Sequence, residues 1–211
     1  MKKIVLIGDS IRMGYDKYVA EALSGVAEVY YPKENCRFAE NALRFAHEWK
    51  NRGDLPADAD LVHWNVGLWD VAEILGDEPL TPLPFYENLI ARLDRRFRSF
   101  YPNAKMVFAT STAVDESKMS ASFCRHNSVI EKYNEAALRV LGETDTVIND
   151  LYSLTHGCPD EMRSDWVHFN NDLGTMTVGG RVIEVICAQL GISPKGADAV
   201  REGYTEDQIG K

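Results

Sequence analysis

Short apolar runs alternate with longer amphipathic segments along most of this chain of 211 residues. The first run, residues 3–7, is apolar after its lysine, which is typical of a strand buried on both faces of a sheet. The longer segments have apolar residues at i, i+3 and i+4, the spacing of a helix with one buried face. Five strands that alternate with helices predict an α/β fold with a parallel sheet and helices on both of its faces.

The predicted elements leave one polar segment at the end of the chain. The strands are predicted at residues 3–7, 27–31, 60–65, 105–110 and 146–149. The helices are predicted at residues 12–23, 41–49, 85–100, 127–141 and 173–190. Residues 1–192 contain no low-complexity tract, fixed-period repeat or break in composition, which predicts a single domain. Residues 193–211 are polar and are predicted to form a surface tail or a short helix.

The composition argues against several classes of partner. Lys and Arg total 23 against 32 Asp and Glu, and the net charge of −9 disfavours contact with phosphate backbones, so nucleic acid is not an expected partner. The apolar run near the N-terminus is too short for a secretory signal. No run of about 20 apolar residues is present to span a membrane, so a cytoplasmic protein without membrane contact is expected.

Common cofactor and metal motifs are missing as well. The sequence contains neither of the glycine-rich phosphate-binding motifs, and the segment at His47 lacks the second histidine of H-E-x-x-H. The four cysteines form no C-x-x-C pair and are expected to be reduced thiols. No cofactor and no metal are therefore expected. The G-x-S-x-G elbow of α/β-hydrolases is absent too.

The residues that follow the predicted strands carry groups suited to chemistry. Ligands of open parallel sheets bind beyond the carboxyl ends of the strands. Ser10 follows the first predicted strand. Asn65 ends the third strand, and Trp69 follows it. The long loop after the fifth strand contains Asp165 and His168. A hydroxyl, an amide, a carboxylate and an imidazole could thus meet at one edge of the sheet.

Ser10 has two interpretations. Serine is a favoured N-cap, and its hydroxyl could accept a hydrogen bond from an early N–H of the first helix. A serine at the same place could instead be a nucleophile. Its hydroxyl would then project from the sheet edge, and its own N–H, at a helix N-terminus, could stabilise an oxyanion.

Asp165 and His168 are three residues apart, which allows the carboxylate to orient the imidazole. A hydroxyl nucleophile needs an imidazole base, and that base needs an acceptor at its other nitrogen. His156, in the same loop, is the main alternative base, but no acidic residue stands at the matching position before it. His63 lies within a strand and is expected to be buried.

Four segments resemble the SGNH (GDSL-type) hydrolase superfamily, and the resemblance extends over about residues 3–190. The segments are Gly-Asp-Ser at residues 8–10, Ile-Arg-Met-Gly at 11–14, the helix segment 125–134, and Asp-x-x-His-Phe-Asn at 165–170. The resemblance implies that Ser10 is the nucleophile, His168 the base and Asp165 its orienter. It also implies a flavodoxin-like, doubly wound sheet in three α/β/α layers, with five strands in the order 2-1-3-4-5.

Two loops depart from the family's pattern, and both bear on the oxyanion hole. The loop after the second strand lacks the family's glycine, so a backbone N–H near Arg37 is expected to donate there. Trp69 stands where the family has an asparagine, which leaves Asn65 as the nearest amide. The expected donors are the N–H of Ser10, the N–H near Arg37 and the side chain of Asn65. Asn65 could instead form hydrogen bonds with the loop backbone. The oxyanion would then be stabilised by the Trp69 N–H or by two backbone amides alone.

Three tryptophans, Trp64, Trp69 and Trp166, lie near the predicted edge. Aromatic rings there could line an acyl pocket or stack on a sugar, and core packing is the alternative for each of them. Trp69 and Trp166 are the candidate substrate-binding residues.

The sequence thus predicts a serine ester hydrolase that acts through an acyl-enzyme on Ser10. The resemblance implies short-acyl esters as small-molecule substrates, with O-acetyl carbohydrates as one such class. Two alternatives stay open: an acyltransferase with the same triad, and a non-catalytic α/β binding module whose altered loops have lost the oxyanion hole. A homodimer is expected only from the general frequency of symmetric dimers.

Overall fold

The computed structural model describes residues 1–194, which form seven strands and six helices. The strands are β1 Lys2–Ile7, β2 Ala27–Tyr30, β3 Leu61–Trp64, β4 Glu73–Ile74, β5 Lys105–Ala109, β6 Phe123–Cys124 and β7 Val147–Asn149. The helices are α1 Ser10–Ala22, α2 Ala39–Asn51, α3 Leu83–Phe100, α4 Asn127–Leu141, α5 Leu151–Thr155 and α6 Asp172–Leu190. Short 3₁₀ helices cover Glu116–Lys118 and Asp160–Met162.

Five of the strands form one parallel sheet, in the order β2-β1-β3-β5-β7. Numbered among themselves along the chain, these strands have the order 2-1-3-4-5, so the predicted topology is confirmed. Every residue of β3 is buried, and Ile4 of β1 is fully buried beside Leu61 of β3. Strands buried on both faces need apolar residues at nearly every position, which explains the continuous apolar runs in the sequence.

Helices cover both faces of the sheet and complete the three predicted layers. Helix α1 packs against α6 on one face, and α3 packs between α2 and α4 on the other. The buried stripe of α3 includes Leu89, Leu93 and Phe97, at the spacing of one helix face. Gly179 lets α6 approach α1 closely, because a Cβ atom there would lie 2.7 Å from Cδ1 of Tyr18.

Near the edge of the sheet, the structure contains elements that the sequence did not predict, among them helix α5, which follows β7. Strands β4 and β6 form a small antiparallel ribbon, with Glu73 opposite Cys124, and neither was predicted because two residues are too few to show alternation. Helix α1 begins at Ser10, two residues earlier than predicted. Of the predicted tail at residues 193–211, residues 195–211 lie outside the described part of the chain.

Within the described residues, no helix combines the length and the apolar character needed to cross a membrane. The cytoplasmic location, the single-domain organisation, the homodimer and the absence of a nucleic-acid partner stay predictions.

Candidate active site

Ser10 is the first residue of α1 and follows the carboxyl end of β1, which lies between β2 and β3 in the sheet. The N-cap is Asp9, whose Oδ1 accepts a hydrogen bond from the N–H of Ile11 at 3.0 Å. The interpretation of Ser10 as the cap is therefore wrong, because the neighbouring carboxylate already satisfies that helical N–H. Its hydroxyl is left available at the edge of the sheet, and its N–H has no hydrogen-bond partner among residues 1–194.

Glycine is required at position 8, in the turn between β1 and α1. A Cβ atom on Gly8 would lie 2.0 Å from Oδ1 of Asn65 and 2.7 Å from Cβ of Arg12. Atoms cannot approach so closely without displacing one another. The absence of a side chain at Gly8 therefore lets the end of β3 pack directly against the turn that presents Ser10.

His168 links Ser10 to Asp165 through two hydrogen bonds. Its Nε2 lies 2.8 Å from Oγ of Ser10, and its Nδ1 lies 2.7 Å from Oδ2 of Asp165. A carboxylate at Nδ1 favours the tautomer that carries its proton there, which leaves the lone pair of Nε2 facing the hydroxyl. The structure brings these three predicted residues together in the order that nucleophilic catalysis requires.

Hydrogen bonds within the loop that carries Asp165 and His168 fix its conformation. Oδ1 of Asp165 accepts from the N–H groups of Val167 and His168, at 2.7 and 2.8 Å. The N–H of Ser164 donates to the carbonyl of His168 at 2.9 Å, which closes the turn. The D-x-x-H spacing thus forms a compact turn in which one carboxylate holds both the backbone and the imidazole.

The electrostatics keep Asp165 ionised. Burial by itself raises the pKa of this carboxyl, but the hydrogen bond and charge of His168, with the two backbone N–H groups, outweigh it and hold the pKa well below its ordinary value. An ionised Asp165 stabilises the imidazolium that forms when His168 accepts a proton.

Asn65 lies at the end of β3, against Asp9. Its Nδ2 donates to Oδ1 of Asp9 at 3.1 Å, and the residue is 4% exposed. Asp9 is fully buried, and burial raises its pKa even though Ile11 and Asn65 donate to it. An amide nitrogen has two N–H groups, so one of those on Asn65 remains for another acceptor.

Arg37 does not supply the oxyanion donor expected from the sequence. Its N–H donates to Oδ1 of Asn35 at 2.9 Å, and its side chain is exposed. The residue has φ 51°, a left-handed conformation, within a tight turn stabilised by the asparagine side chain. Because the short side chain of Asn35 already accepts this N–H, it is not free to meet a substrate oxygen.

A buried carboxyl group anchors the loop that contains Arg37. Asp70 accepts from the N–H of Ala39 at 3.1 and 3.2 Å through its two oxygens, and from the hydroxyl of Thr81 at 2.8 Å. Burial raises the pKa of Asp70 to about 6. The acidic residue that follows Trp69 therefore ties the loop after β3 to the start of α2.

A cavity of about 480 Å³ opens beside Ser10 and His168. Its wall is formed by Ser10, Trp69, Phe123, Arg125, Asp165, Trp166, Val167 and His168. Both candidate substrate-binding tryptophans therefore lie on the wall. Trp64 does not, because it is fully buried in the core, where its ring packs against Phe97 and Phe108.

Sequence reasoning missed Phe123 and Arg125 on this wall. Phe123 belongs to the ribbon that was not predicted, and Arg125 follows it directly. The only sequence signal was the similarity of segment 125–134 to the SGNH pattern, which assigned no role to the arginine. Both residues reach the cavity because β6 pairs with β4, a contact between segments about 50 residues apart.

The other histidines occupy different surroundings. His63 is fully buried, as expected, and its Nε2 accepts from Nδ2 of Asn149 at 3.1 Å. His156, the alternative base, stacks near Tyr152 with ring centroids 5.4 Å apart and is not on the cavity wall. Among residues 1–194, the geometry favours His168 as the base.

One group of residues could hold a metal ion. Donor atoms of Glu73, Cys124 and His126 lie within 4.8 Å of one another, and Nδ1 of His126 is 3.2 Å from Oε2 of Glu116. Glu73 and Cys124 belong to the β4–β6 ribbon and His126 precedes α4, and none of the three is on the cavity wall. The contacts between Ser10, His168 and Asp165 do not involve it.

Comparison with known proteins supports the fold. No protein-family model matches the sequence, and no curated protein matches it significantly. Among solved structures, a lipase/acylhydrolase from Enterococcus faecalis is similar with a TM-score of 0.68 and 19% identity, over 93% of this chain and 100% of that chain.

Two carbohydrate-directed esterases have a similar fold. An acetyl xylan esterase has a TM-score of 0.66 and 19% identity, over 87% of this chain and 99% of that one. A carbohydrate esterase family 3 protein from Talaromyces cellulolyticus has a TM-score of 0.65 and 16% identity, over 92% of this chain and 100% of that one. The fold expected from the SGNH resemblance is confirmed.

Proposed function

We propose that this chain is a serine ester hydrolase that works through an acyl-enzyme. The proposal is carried by the continuous chain of hydrogen bonds from Asp165 through His168 to Ser10, with the serine on the wall of an open cavity. A free hydroxyl is a weak nucleophile at neutral pH, and an adjacent oriented imidazole is what activates it. The fold shared with lipase and esterase structures supports the same reaction class.

In the proposed first half-reaction, Oγ of Ser10 attacks the ester carbonyl carbon while Nε2 of His168 accepts the hydroxyl proton. The tetrahedral intermediate collapses, the ester C–O bond breaks, and the imidazolium gives its proton to the departing alcohol. In the second half-reaction, water attacks the acyl-enzyme, His168 accepts a proton from it, and the carboxylic acid leaves as Ser10 regains its proton. Asp165 keeps the imidazole oriented throughout.

The negative oxygen of the intermediate needs donors. The N–H of Ser10 and the second N–H of the Asn65 amide are the proposed donors, because neither has a hydrogen-bond partner among residues 1–194. A preorganised donor of this kind is worth about 10²–10³ in kcat. Asn65 thereby takes the place of the family's asparagine at the Trp69 position.

The proposed substrates are short-acyl esters, with O-acetyl carbohydrates as one class. Trp69 and Trp166 supply aromatic faces on the cavity wall, on which a sugar ring can stack. The two similar structures described as an acetyl xylan esterase and a carbohydrate esterase agree with this class.

The test is the hydrolysis of 4-nitrophenyl acetate by the wild-type protein and by Ser10→Ala at several pH values, together with labelling by a serine-directed phosphonate. We expect turnover that falls as His168 becomes protonated, stoichiometric labelling of the wild type, and neither in Ser10→Ala. Ser111→Ala is the matched control, because Ser111 is also buried at the end of a parallel strand but its hydroxyl is 3.4 Å from the carbonyl of Val66 rather than bonded to His168.

Two results would replace the proposal. Labelling with little hydrolysis, and release of nitrophenol that accelerates when a sugar acceptor is added, would indicate an acyltransferase. Absence of both turnover and labelling in the wild type would indicate the binding module.

A further inference from the structure

Arg125 is a buried cation on the cavity wall. The residue is only 4% exposed, yet it lies on the same wall as Ser10 and His168. Three aromatic rings surround its guanidinium, with centroids at 4.8 Å for Phe123, 5.4 Å for Trp166 and 5.6 Å for Trp69. The ring faces hold the charge in place.

The guanidinium has unused donors. Its Nε donates to the carbonyl of Leu68, and the two terminal nitrogens have no hydrogen-bond partner among residues 1–194. Burial lowers the pKa of Arg125 to about 10, which still leaves the group charged at neutral pH. The terminal nitrogens are not sealed from solvent, so a ligand in the cavity can take the place of water as their acceptor.

Neither of the two nearby carboxylates makes a hydrogen bond to Arg125. Asp165 accepts from His168 and from two backbone N–H groups, and Asp9 accepts from Ile11 and Asn65. Both acids act on Arg125 through space as nearby charges and not through hydrogen bonds. The terminal N–H groups of Arg125 are therefore available to an acceptor in the cavity.

We infer that the substrate carries a carboxylate that Arg125 binds, so that the site is selective for anionic esters. The inference rests on the proposed hydrolase function and adds the substrate's charge to it. A carboxylate matches the paired N–H groups of a guanidinium and neutralises its charge, which a hydroxyl or a carbonyl cannot do. The carboxylate can belong to the alcohol part or to the acyl part of the ester.

The experiment compares pairs of esters in which one member carries a carboxylate and the other a neutral group at the same position. For the alcohol part the pair is 4-acetoxybenzoate and its methyl ester; for the acyl part it is the mono-4-nitrophenyl ester of adipic acid and 4-nitrophenyl hexanoate. The wild type is expected to have a kcat/KM at least about tenfold higher for the anionic member of one pair. The pair that shows the preference identifies the part of the substrate that Arg125 contacts.

Arg125→Met keeps an apolar side chain between the rings and removes the charge. We expect it to abolish the preference, with kcat/KM falling at least about tenfold more for the anionic ester than for the neutral ester. Arg44→Met is the control, because Arg44 also lies over an aromatic ring, that of Phe45, but on the exposed side of α2. Equal loss on both esters would overturn the inference and indicate a role in the oxyanion hole or in positioning. Equal rates for both members of each pair in the wild type would overturn it too.

A binding measurement separates this inference from the hydrolase proposal. Calorimetry with Ser10→Ala and 4-acetamidobenzoate, adipate or the methyl ester of 4-acetamidobenzoate requires no turnover. We expect one of the two carboxylate ligands to bind, the neutral ligand to bind at least about tenfold more weakly, and Ser10→Ala/Arg125→Met to lose the difference. If the wild type shows no esterase activity but this selectivity is present, the hydrolase proposal fails alone. If activity is present and no carboxylate selectivity is found, the inference fails alone.

Discussion

The side-chain amide of Asn65 donates to Oδ1 of Asp9 at 3.1 Å, directly before the nucleophile in the chain. The same oxygen accepts from the N–H of Ile11 at 3.0 Å, so the end of β3 and the first turn of α1 hold one carboxyl group from two sides. This pairing across two adjacent parallel strands fixes the turn on which Ser10 is presented. It also leaves a single N–H of Asn65 for a substrate oxygen.

Replacing Asn65 with alanine should affect both catalysis and stability. We expect kcat for 4-nitrophenyl acetate to fall about 10²–10³-fold with little change in KM, because the lost donor acts on the transition state. Removing the hydrogen bond to buried Asp9 should also lower the free energy of unfolding by about 1–3 kcal/mol. Steady-state kinetics and urea unfolding measure the two effects. A kcat within threefold of wild type would show that the oxyanion is stabilised without Asn65.

Asp165→Asn tests the orienting carboxylate. We expect kcat to fall by about 10²–10⁴, because the amide can no longer stabilise the imidazolium or fix the tautomer of His168. Phosphonate labelling of Ser10 should become slower in proportion. Asp160→Asn in the same loop is the control, since Asp160 is exposed and pairs with Lys118 on the surface. Unchanged kinetics in Asp165→Asn would remove Asp165 from the triad.

Gly8→Ala tests the close packing behind the nucleophile. The new Cβ would lie 2.0 Å from Oδ1 of Asn65, so the turn or the strand end must shift. We expect a loss of about 1–3 kcal/mol in the free energy of unfolding and a loss of esterase activity. Gly180→Ala is the matched control, because nothing lies within 4 Å of its added Cβ in α6, and it should be neutral or stabilising by up to about 1 kcal/mol. Equal stability of the two variants would contradict the packing argument.

The buried His63 should make stability depend on pH in a definable window. Burial lowers its pKa from 6.5 to about 4, so between these values the unfolded chain binds a proton that the folded protein excludes. The stability that the neutral histidine contributes is therefore present above about pH 6.5 and is lost as the pH falls towards 4, by up to about 1.4 kcal/mol per pH unit.

The measurement is urea unfolding of wild type and His63→Gln at about pH 7 and about pH 5. Between about pH 7 and about pH 5, the free energy of unfolding should fall more for the wild type than for His63→Gln. Asp9 and Asp70, whose pKa values are raised, titrate in both proteins and cancel in the difference. A pH-independent difference for His63→Gln would show that His63 is protonated inside the fold.

The placement of Ser10, Asp165 and His168 at one edge of the sheet could be predicted, because each lies in a segment that follows a predicted strand. Their roles as nucleophile, orienter and base were expected only from the resemblance to the SGNH superfamily. The alternation of apolar runs with amphipathic segments likewise predicted the five parallel strands and their covering helices, because strand and helix periodicities are properties of short segments.

The oxyanion loop and the cavity wall could not be predicted in the same way. The backbone N–H of Arg37 donates to the side chain of Asn35, within a tight turn. The geometry of that turn depends on how Asp70 holds the start of α2. Trp64 and Trp69 are five residues apart, yet one is in the core and the other on the cavity wall. Side-chain direction at the end of a strand depends on its neighbours in the sheet, which the sequence alone does not specify.

The sequence by itself determined which segments become strands and helices and which of them carry a serine, a histidine and an aspartate at one edge of the sheet. The tertiary structure decided what surrounds that edge. Asn65 reaches Asp9 only because β1 and β3 pair in parallel, and Arg125 enters the cavity only because β4 and β6 meet across about 50 residues. Periodicity reports the burial of a segment, whereas a site is made of contacts between segments that only the folded chain brings together.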